Sequence, residues 1–322
     1  ENRPRGRFFG LFHAVERRLF AVHQNRQLAP DEKSSVLRGP IGLALGGVYA
    51  MSGVSLVVLF RTSGVLNLFY GAIGALGAMV SWELVTQRGW NDWLSFGLAV
   101  VLGGVLTLAY GWFLGPPLAN RNPLEKAAAT LGFALILLGF MTWYWTEDAR
   151  SLPLPTNNWR YANGWLRLTA TQVIAVVFPI VLTAGTVLYL NASKVGRAMR
   201  ALADDRENTA LLGVPVRKVE ATAWFVSGLI FGFSGLLLAA LVSMEPGSMT
   251  FTLPVAALAA ALIGRMQSLW VTLGAAFVIG FVQAELNAVG SLAQYRTATP
   301  FVVAIVVLLW FGWRGDIEGR IA

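Results

Sequence analysis

The chain has 322 residues, of which 56% are hydrophobic and only 13% are charged, and its mean hydropathy is +0.59. This composition excludes an ordinary soluble domain and predicts an all-α polytopic membrane protein. The lack of cysteine excludes disulfides and thiolate metal sites, and the net charge of +8, carried mostly between apolar segments, indicates positive-inside sorting and anionic lipid rather than nucleic acid.

Residues 1–39 are predicted to form a basic amino-terminal arm. Between Arg7 and Val22 large apolar residues recur on one helical face, with charged residues opposite. This pattern is typical of an amphipathic helix that lies in the membrane interface. After the arm we expect a single transmembrane domain over residues 40–318 and a short tail at 319–322.

Eight apolar stretches are each long enough to cross a bilayer, which needs about 20 helical residues. They lie near 41–60, 68–86, 94–114, 126–145, 171–190, 219–242, 268–286 and 297–313. A ninth stretch, from Pro254 to Gly264, is too short to cross at about 1.5 Å per residue. The sequence therefore predicts about eight transmembrane helices plus a half-helix.

The distribution of basic residues predicts which side of the membrane each loop occupies. The interval 191–218 carries six Lys or Arg and should be cytoplasmic, as should the basic carboxy-terminal tail. Counting five spans back places the arm outside, although its eight basic residues favour the inside. An extra re-entrant crossing within 41–86 would remove the conflict. We favour an external arm, which also places 146–170 outside as a structured cap.

The interval 191–218 is not built like a disordered linker. From Ser193 to Ala203, small and apolar residues recur at spacings of three and four and predict one face of a short docking helix. The residues on this face are Val195, Ala198, Met199 and Leu202.

A second short helix is predicted directly after the first. Asp204 and Asp205 can cap a helix from Arg206 to Leu212, and Gly213 is placed to end it in the left-handed conformation. Two short helices at an angle would form a compact knob on the membrane surface. The alternative is an ordinary amphipathic connector between two spans.

The run from Gly64 to Ala78, GVLNLFYGAIGALGA, places the polar residues Asn67 and Tyr70 within an apolar segment. A helix broken near Asn67 would free backbone groups, which is tolerable at membrane depth only where protein or a water-filled cavity satisfies them. Close helix packing is the alternative explanation for the small residues, but it accounts less well for Asn67. These small residues are Gly71, Gly74, Ala75 and Ala78.

The predicted half-helix forms a second candidate site. It runs from Leu253 to Gly264, and the free amides at its amino-terminal end can face a carboxylate or another anionic group. Both regions consist of an apolar span (41–60 or 219–242), a polar break and a small-residue helix. If the two spans run in opposite directions, the chain contains an inverted repeat, which places a pathway at the repeat interface. Chance resemblance between Gly- and Ala-rich segments is the alternative.

Few ionisable residues fall within the predicted spans. Glu83 and Glu285 lie near span ends, where solvation at the interface explains them, and Glu285 is the better functional candidate because Gln283 and Asn287 accompany it. The sequence contains no Walker A loop and no HExxH or GxSxG motif, so we expect no catalytic residues, no metal site and no ATP hydrolysis by this chain.

Two runs resemble a known family. SKVGRAMRALADDRENTALLGVPVRKVEATAWFVSGLIFGFSGLLLA resembles the cytoplasmic loop and following span of permease subunits in bacterial branched-chain amino acid ABC importers. GVLNLFYGAIGALGA resembles that family's Val-Leu-Asn-Phe-Ala-His-Gly pattern followed by small residues. The resemblance covers roughly residues 41–318 and implies a multi-pass protein of the bacterial inner membrane.

The resemblance also implies roles for residues and a set of partners. The loop would form cytoplasmic coupling helices that dock on an ATPase, through Gly196, Arg197, Ala198, Arg200, Ala201, Asp204, Asp205 and the residues up to Gly213. The translocation path would include Asn67, Phe69, Tyr70 and Gly71, to which we add Gly74, Leu253, Pro254 and Glu285. A second permease, two ATPases that hold ATP and Mg²⁺, and an external binding protein would complete the importer.

Two departures from the family pattern leave the substrate open. Tyr70 stands where the family has histidine, and Gly264-Arg265-Met266-Gln267-Ser268 stands where it has Gly-Gly-x-Gly-Ser. Related permeases carry branched-chain amino acids, urea, short amides or aromatic acids. The alternative function is a secondary transporter or channel without ATPases, which predicts paired intramembrane carboxylates or a Na⁺ site, and only Glu285 offers itself.

Overall fold

The computed structural model describes residues 32–119, 121–152, 154–163, 166–288 and 298–321. The predicted arm before Glu32 lies outside the described residues. In chain order the helices are α1 (Glu32–Ser63), α2 (Tyr70–Trp82), α3 (Asp92–Phe113), α4 (Gly115–Leu118), α5 (Pro123–Trp145), α6 (Ala170–Ala192), α7 (Lys194–Asp204), α8 (Arg206–Leu211), α9 (Val216–Leu241), α10 (Pro246–Ile263), α11 (Leu269–Ala288) and α12 (Thr299–Ile321).

Smaller elements complete the fold. A π-helical turn, Glu83–Gln87, continues α2, and a 3₁₀ turn, Pro155–Asn158, precedes two short strands, β1 (Arg160–Asn163) and β2 (Leu166–Thr169). The strands pair antiparallel with Arg160 opposite Thr169. This hairpin gives the interval between α5 and α6 a regular structure that the sequence predicted only as a cap.

Seven helices in the described part of the chain are long and apolar enough to cross a membrane: α1, α3, α5, α6, α9, α10 and α11. The apolar part of α12, Thr299–Phe311, is shorter. Helix α2 has 13 residues, and an irregular segment at residues 64–69 joins it to α1. The prediction of an all-α polytopic membrane protein is confirmed.

The prediction of a half-helix from Pro254 to Gly264 is wrong, because the helix that contains Pro254 starts earlier. Helix α10 begins at Pro246 and has 18 residues, about 27 Å at 1.5 Å per residue, so it is long enough to cross. Pro246 and Pro254 are both compatible with a first helical turn, and the sequence alone did not distinguish them. Because Pro254 lies inside α10, the amides near Leu253 are not at a helix end and cannot face an anion as predicted.

Glycines bring two pairs of helices into close contact. A Cβ added to Gly280 of α11 would overlap the backbone of Gly46 in α1. In the same way, a Cβ added to Gly103 of α3 would lie 2.6 Å from the carbonyl oxygen of Gly228 in α9. Since small residues allow helix backbones to approach closely in lipid, these contacts are typical of membrane packing.

The two glycine contacts are equivalent in an inverted repeat. Helices α1, α2 and α3 correspond to α9, α10 and α11, and α1 packs on α11 as α9 packs on α3. Gly46 and Gly228 are separated by the same 182 positions as Ser52 and Ser234, whose side chains are hydrogen-bonded to each other. Helices α1 and α9 run antiparallel, because Ser55 also lies beside Ser227. The predicted inverted repeat therefore agrees with the packing.

The bundle has two ends that differ in their connections. At one end Arg61, near the end of α1, donates to the carbonyl oxygen of Gln267 just before α11, and α7 packs on α1 and α6. At the other end Glu147 accepts a hydrogen bond from the amide of Gly247. Because α7 and α8 carry the basic loop, we call the first end cytoplasmic and the second external.

The start of α1 lies at the external end. Helix α1 reaches the cytoplasmic end at Arg61, segment 64–69 reverses the chain, and α2 runs back to the external end, where Glu83 meets Trp145. Helices α1 and α2 therefore make two crossings and no third. Five crossings, made by α1, α2, α3, α5 and α6, therefore precede α7. The extra re-entrant crossing that we considered within 41–86 is absent from these described residues.

Candidate translocation and coupling sites

The predicted helix break near Asn67 is present between α1 and α2. Gly64 ends α1 with a φ of 66°, a value that glycine adopts at low cost. The hydroxyl of Thr130 in α5 donates to the carbonyl oxygen of Leu66 at 2.9 Å and accepts from the amide of Leu68 at 3.3 Å. Protein groups thus satisfy part of the backbone that the break frees, as the membrane interior requires.

Asn67 is fully buried within this break. Its Oδ1 accepts a hydrogen bond of 2.9 Å from the amide of Phe69, which holds the chain in a turn before α2. Its Nδ2 has no hydrogen-bond partner among the described residues. An unpaired buried amide group is costly, so Asn67 is the best candidate here for a group that meets solute or water in another state of the protein.

Four aromatic rings surround the break on its cytoplasmic side. The ring of Phe69 lies 4.6 Å from Tyr110 of α3, 5.0 Å from Phe133 of α5 and 6.3 Å from Trp224 of α9, centroid to centroid. Aromatic pairs at these separations attract one another beyond their burial of surface. Side chains from segment 64–69, α3, α5 and α9 thus fill the space on the cytoplasmic side of the break.

The other predicted path residues meet where α2 crosses α10. The hydroxyl of Tyr70 donates to the carbonyl oxygen of Pro254 at 2.7 Å. Gly71 faces the ring of Pro254 so closely that a Cβ would overlap it, and Gly74 faces Gly235 of α9. The structure therefore brings these residues and Leu253 together, and all are buried within one chain. Their role in a path stays a prediction.

Glu285 lies apart from this group. It is half-buried on α11, next to Ala284, which faces Gly42 near the start of α1 at the external end. Thr272, which lies beside Gly53 and Gly264, precedes Glu285 by 13 residues, about 20 Å along the helix. Glu285 is therefore a candidate for the external mouth rather than for the crossing of α2 and α10.

The predicted knob is confirmed as two capped helices. The Ser193 hydroxyl accepts from the amide of Gly196 at 2.8 Å and caps α7. The Asp205 carboxylate accepts from the amide of Asn208 at 3.0 Å and caps α8. Gly213 follows α8 with a φ of 82°, as expected for a left-handed stop.

The predicted docking face of α7 packs on the bundle. Met199 and Leu202 are buried, and Val195 and Ala198 are half-buried. Gly196 belongs to the same face, because an added Cβ would overlap the Tyr189 carbonyl oxygen of α6. Gly196 is thus an anchor of the knob and not part of its outer surface.

The outer surface of the knob carries the remaining coupling candidates. Arg197, Ala201, Asp204, Asp205 and Gly213 are exposed, and Arg200 is half-buried. Arg206 forms an ion pair with Glu220, which ties α8 to the first turn of α9.

Two leucines at the end of α8 were missed by the sequence reasoning. Leu211 and Leu212 are each 84% exposed. Because the two leucines are adjacent, they do not follow the three- and four-residue spacing of a buried helical face. This mismatch is the sequence signal that could have identified them. This exposed apolar pair is a candidate for contact with another protein.

Glu83, at the external end, has structural partners. Its carboxylate accepts from the Trp145 indole at 3.0 Å and from the Tyr144 hydroxyl at 3.3 Å, and pairs with Arg88 at 2.7 Å. This hydrogen bond, together with the nearby negative charge, raises the pKa of the Arg88 guanidinium. Glu83 thus fastens the π-helical turn to the end of α5, so solvation at the interface is not its whole explanation.

Comparison with known proteins identifies relatives over most of the chain. Residues 41–309 match the family model described as branched-chain amino acid transport system / permease component. The high-affinity branched-chain amino acid transport system permease protein LivH of Escherichia coli K12 is 23% identical over 282 residues, which cover 83% of this chain and 91% of LivH.

Two further relatives agree. The permease protein BraD of Pseudomonas aeruginosa is 22% identical over 284 residues, 84% of this chain and 91% of BraD. The permease protein LivM of Escherichia coli K12 is 27% identical over 305 residues, 87% of this chain and 69% of LivM. The family match, which spans more than half of the chain, favours an importer over the secondary transporter. The chain belongs to the permease-component family of branched-chain amino acid transport systems and is a transmembrane subunit of an ABC importer.

Proposed function

We propose that this chain forms part of the translocation path of an ATP-driven importer in a bacterial inner membrane. Its substrates would be branched-chain or other hydrophobic amino acids, or related small polar solutes. The observation that carries the proposal is the knob of α7 and α8, which is anchored by one face and exposes charges and two leucines on the other. Such a surface fits a soluble partner at the cytoplasmic end.

The attachment of the knob suggests how a partner's motion reaches the membrane spans. Gly196 seats α7 against the last turn of α6, and the Arg206–Glu220 ion pair ties α8 to α9. When the partner ATPases bind and hydrolyse ATP with Mg²⁺, a displacement of the knob pulls on α6 and α9 together. Because α9 packs on α1, α2 and α3, this pull changes the opening of the path beside α2, as alternating access requires.

The partners follow from the same proposal. LivH and LivM are both named as permease proteins of one kind of transport system, and this chain resembles both. We therefore infer a second permease beside this chain, two ATP-binding subunits at the knob and a substrate-binding protein at the external end. The chain itself would bind no cofactor.

The test replaces Ala201, which is exposed on the knob, with glutamate. We expect Ala201→Glu to fold normally but to abolish substrate-stimulated ATP hydrolysis by the purified complex. Ala149→Glu is the matched control, because Ala149 is exposed near the external end. Unchanged ATP turnover in Ala201→Glu would rule out the coupling assignment. Gly196 is unsuitable for this test, since any side chain there would disturb the anchor itself.

A further inference from the structure

An elongated cavity of about 340 Å³ lies between α1, α6, α7 and α9. Its wall includes Leu182 and Leu190 on α6, and Thr222 and Ile230 on α9. Each of these pairs is eight residues apart, about 12 Å along a helix, so the cavity follows the helix axes over that length.

The cavity is largely apolar and opens sideways. Val226 and Tyr189, which line it, are 45% and 42% exposed, so the space between α6 and α9 is not closed within this chain. The hydroxyl of Ser55 on its wall is buried and has no hydrogen-bond partner among the described residues. A flexible apolar chain that enters from the surrounding lipid would fit this shape.

A second, smaller cavity adjoins the first at the cytoplasmic end. The two share Val58, Leu190 and Met199, and the smaller one is also lined by Arg61 and Arg200. Two guanidinium groups thus lie at the end of an apolar channel, at the level where α1 ends and α7 begins.

Neither arginine is neutralised by a carboxylate in the part of the chain that the structure describes. Arg61 donates to the Gln267 carbonyl oxygen at 3.3 Å, and Arg200 donates from Nη1 to Asn191 Oδ1 at 2.8 Å. The Nε of Arg200 is buried and has no hydrogen-bond partner there. Asp204, one turn along α7, is not within ion-pair distance of Arg200. Two half-buried cations without a counter-charge favour an anionic ligand.

We propose that these joined cavities bind one anionic phospholipid of the cytoplasmic leaflet. Its phosphate lies between Arg61 and Arg200, and one acyl chain occupies the channel between α6 and α9. Anionic lipids are drawn to basic residues at the cytoplasmic surface, and Trp270, which is half exposed at the start of α11, is an aromatic residue of the kind found at that depth.

The bound lipid contacts both the membrane spans and the knob. Met199 of α7 forms part of the wall of both cavities, so displacement of α7 changes the site. The lipid therefore stabilises the position of α7 that the structure shows. This inference rests on the cavities and charges and does not depend on the substrate or on the ATPase partners.

The experiment measures retention of phosphatidylglycerol by the full chain in its native assembly after exchange into detergent micelles that contain phosphatidylcholine, using native mass spectrometry. We expect wild type to retain one phosphatidylglycerol more per copy of this chain than Arg61→Gln/Arg200→Gln. At about 1 kcal/mol per basic residue, each single variant should weaken binding roughly fivefold. The single variants keep the test decisive if the double variant folds poorly.

Matched controls separate charge from shape. Gly185→Leu fills the channel without a backbone clash, since no atom lies within 4 Å of an added Cβ, and it should also lose the lipid. Gly139→Leu adds the same side chain at an equally open position on α5 and should retain the lipid. Arg217→Gln/Lys218→Gln removes two exposed cations at the same end and should behave as wild type.

Several outcomes would overturn the proposal. One is equal retention of phosphatidylcholine and phosphatidylglycerol by wild type. Another is displacement of the lipid by inorganic phosphate at about 10 mM, which would indicate an anion site without an acyl chain. Normal retention by Gly185→Leu would place the acyl chain elsewhere, and normal retention by both single arginine variants would remove the proposed phosphate contacts.

Discussion

The Ser52 hydroxyl donates a hydrogen bond of 2.9 Å to the Ser234 hydroxyl, and these two serines occupy equivalent positions in the two halves of the protein. The halves run in opposite directions through the bundle, so equivalent residues can meet only near the axis that relates them. The serine pair marks that axis between α1 and α9. Both side chains are buried, and Ser234 donates in turn to the Phe231 carbonyl oxygen at 2.9 Å.

The serine pair should show energetic coupling. Ser52→Ala and Ser234→Ala should each destabilise the protein by about 0.5–1 kcal/mol, because hydrogen bonds between membrane helices contribute about that much. The double variant should lose less than the two single losses together, since the bond can be lost only once. Denaturant titration of all four proteins in one detergent measures this, and strictly additive losses would contradict the pairing.

Helix α11 contains two glycines that differ in their surroundings. Gly280→Val should destabilise the protein by roughly 2 kcal/mol or more, because the added side chain would push α11 away from Gly46. Gly274→Val is the control on the same helix, where an added Cβ meets nothing within 4 Å. The yield and the unfolding midpoint of the two variants should differ clearly, and similar values would mean that α1 and α11 are not in close contact.

Tyr70 should stabilise the crossing of α2 and α10. Tyr70→Phe keeps the ring and its stacking on Phe231 but removes the hydroxyl that bonds the Pro254 carbonyl oxygen. We expect a loss of about 1 kcal/mol in the free energy of unfolding. Tyr189→Phe, at a half-exposed site whose hydroxyl makes no hydrogen bond within the described residues, should cost less. If the two variants unfold alike, the Tyr70 hydroxyl has no buried partner.

Replacing Arg265 in the turn after α10 with glycine should stabilise the protein. Arg265 has a φ of 54°, a left-handed conformation that costs a residue with a Cβ about 1 kcal/mol. Its side chain is exposed, so Arg265→Gly should raise the free energy of unfolding by up to about that amount. Gln267→Gly is the control, because Gln267 does not have a positive φ. A loss of stability in Arg265→Gly would contradict the assigned turn.

The sequence predicted the helices and turns of this protein better than the contacts between them. Most of the spans, the break near Asn67, the cap at Asp205 and the stop at Gly213 were predicted from the sequence, because each depends on residues close in the chain. The repeat is also visible in the sequence. Residues 46–56, GGVYAMSGVSL, align without gaps with residues 228–238, GLIFGFSGLLL, at a fixed separation.

What the sequence could not supply came from distant contacts. Helix α10 begins at Pro246 and not at Pro254, which lies inside the helix and packs on Gly71. The placement of Arg61 beside Arg200 joins residues that are far apart in the chain, so no spacing rule reveals it. Glu285 was a path candidate because Gln283 and Asn287 accompany it, yet its helix places it at the external end.

The hydrogen bonds of Thr130 at the break also bear on how the protein enters the membrane. Leu66 and Leu68 find their partner on α5, a helix that is synthesised about 60 residues later. Until α5 has inserted, an unwound segment would expose unpaired backbone groups to lipid. We therefore expect residues 64–82 to insert as one continuous helix and to unwind at Asn67 only when Thr130 arrives, through a conformation that the finished protein does not have.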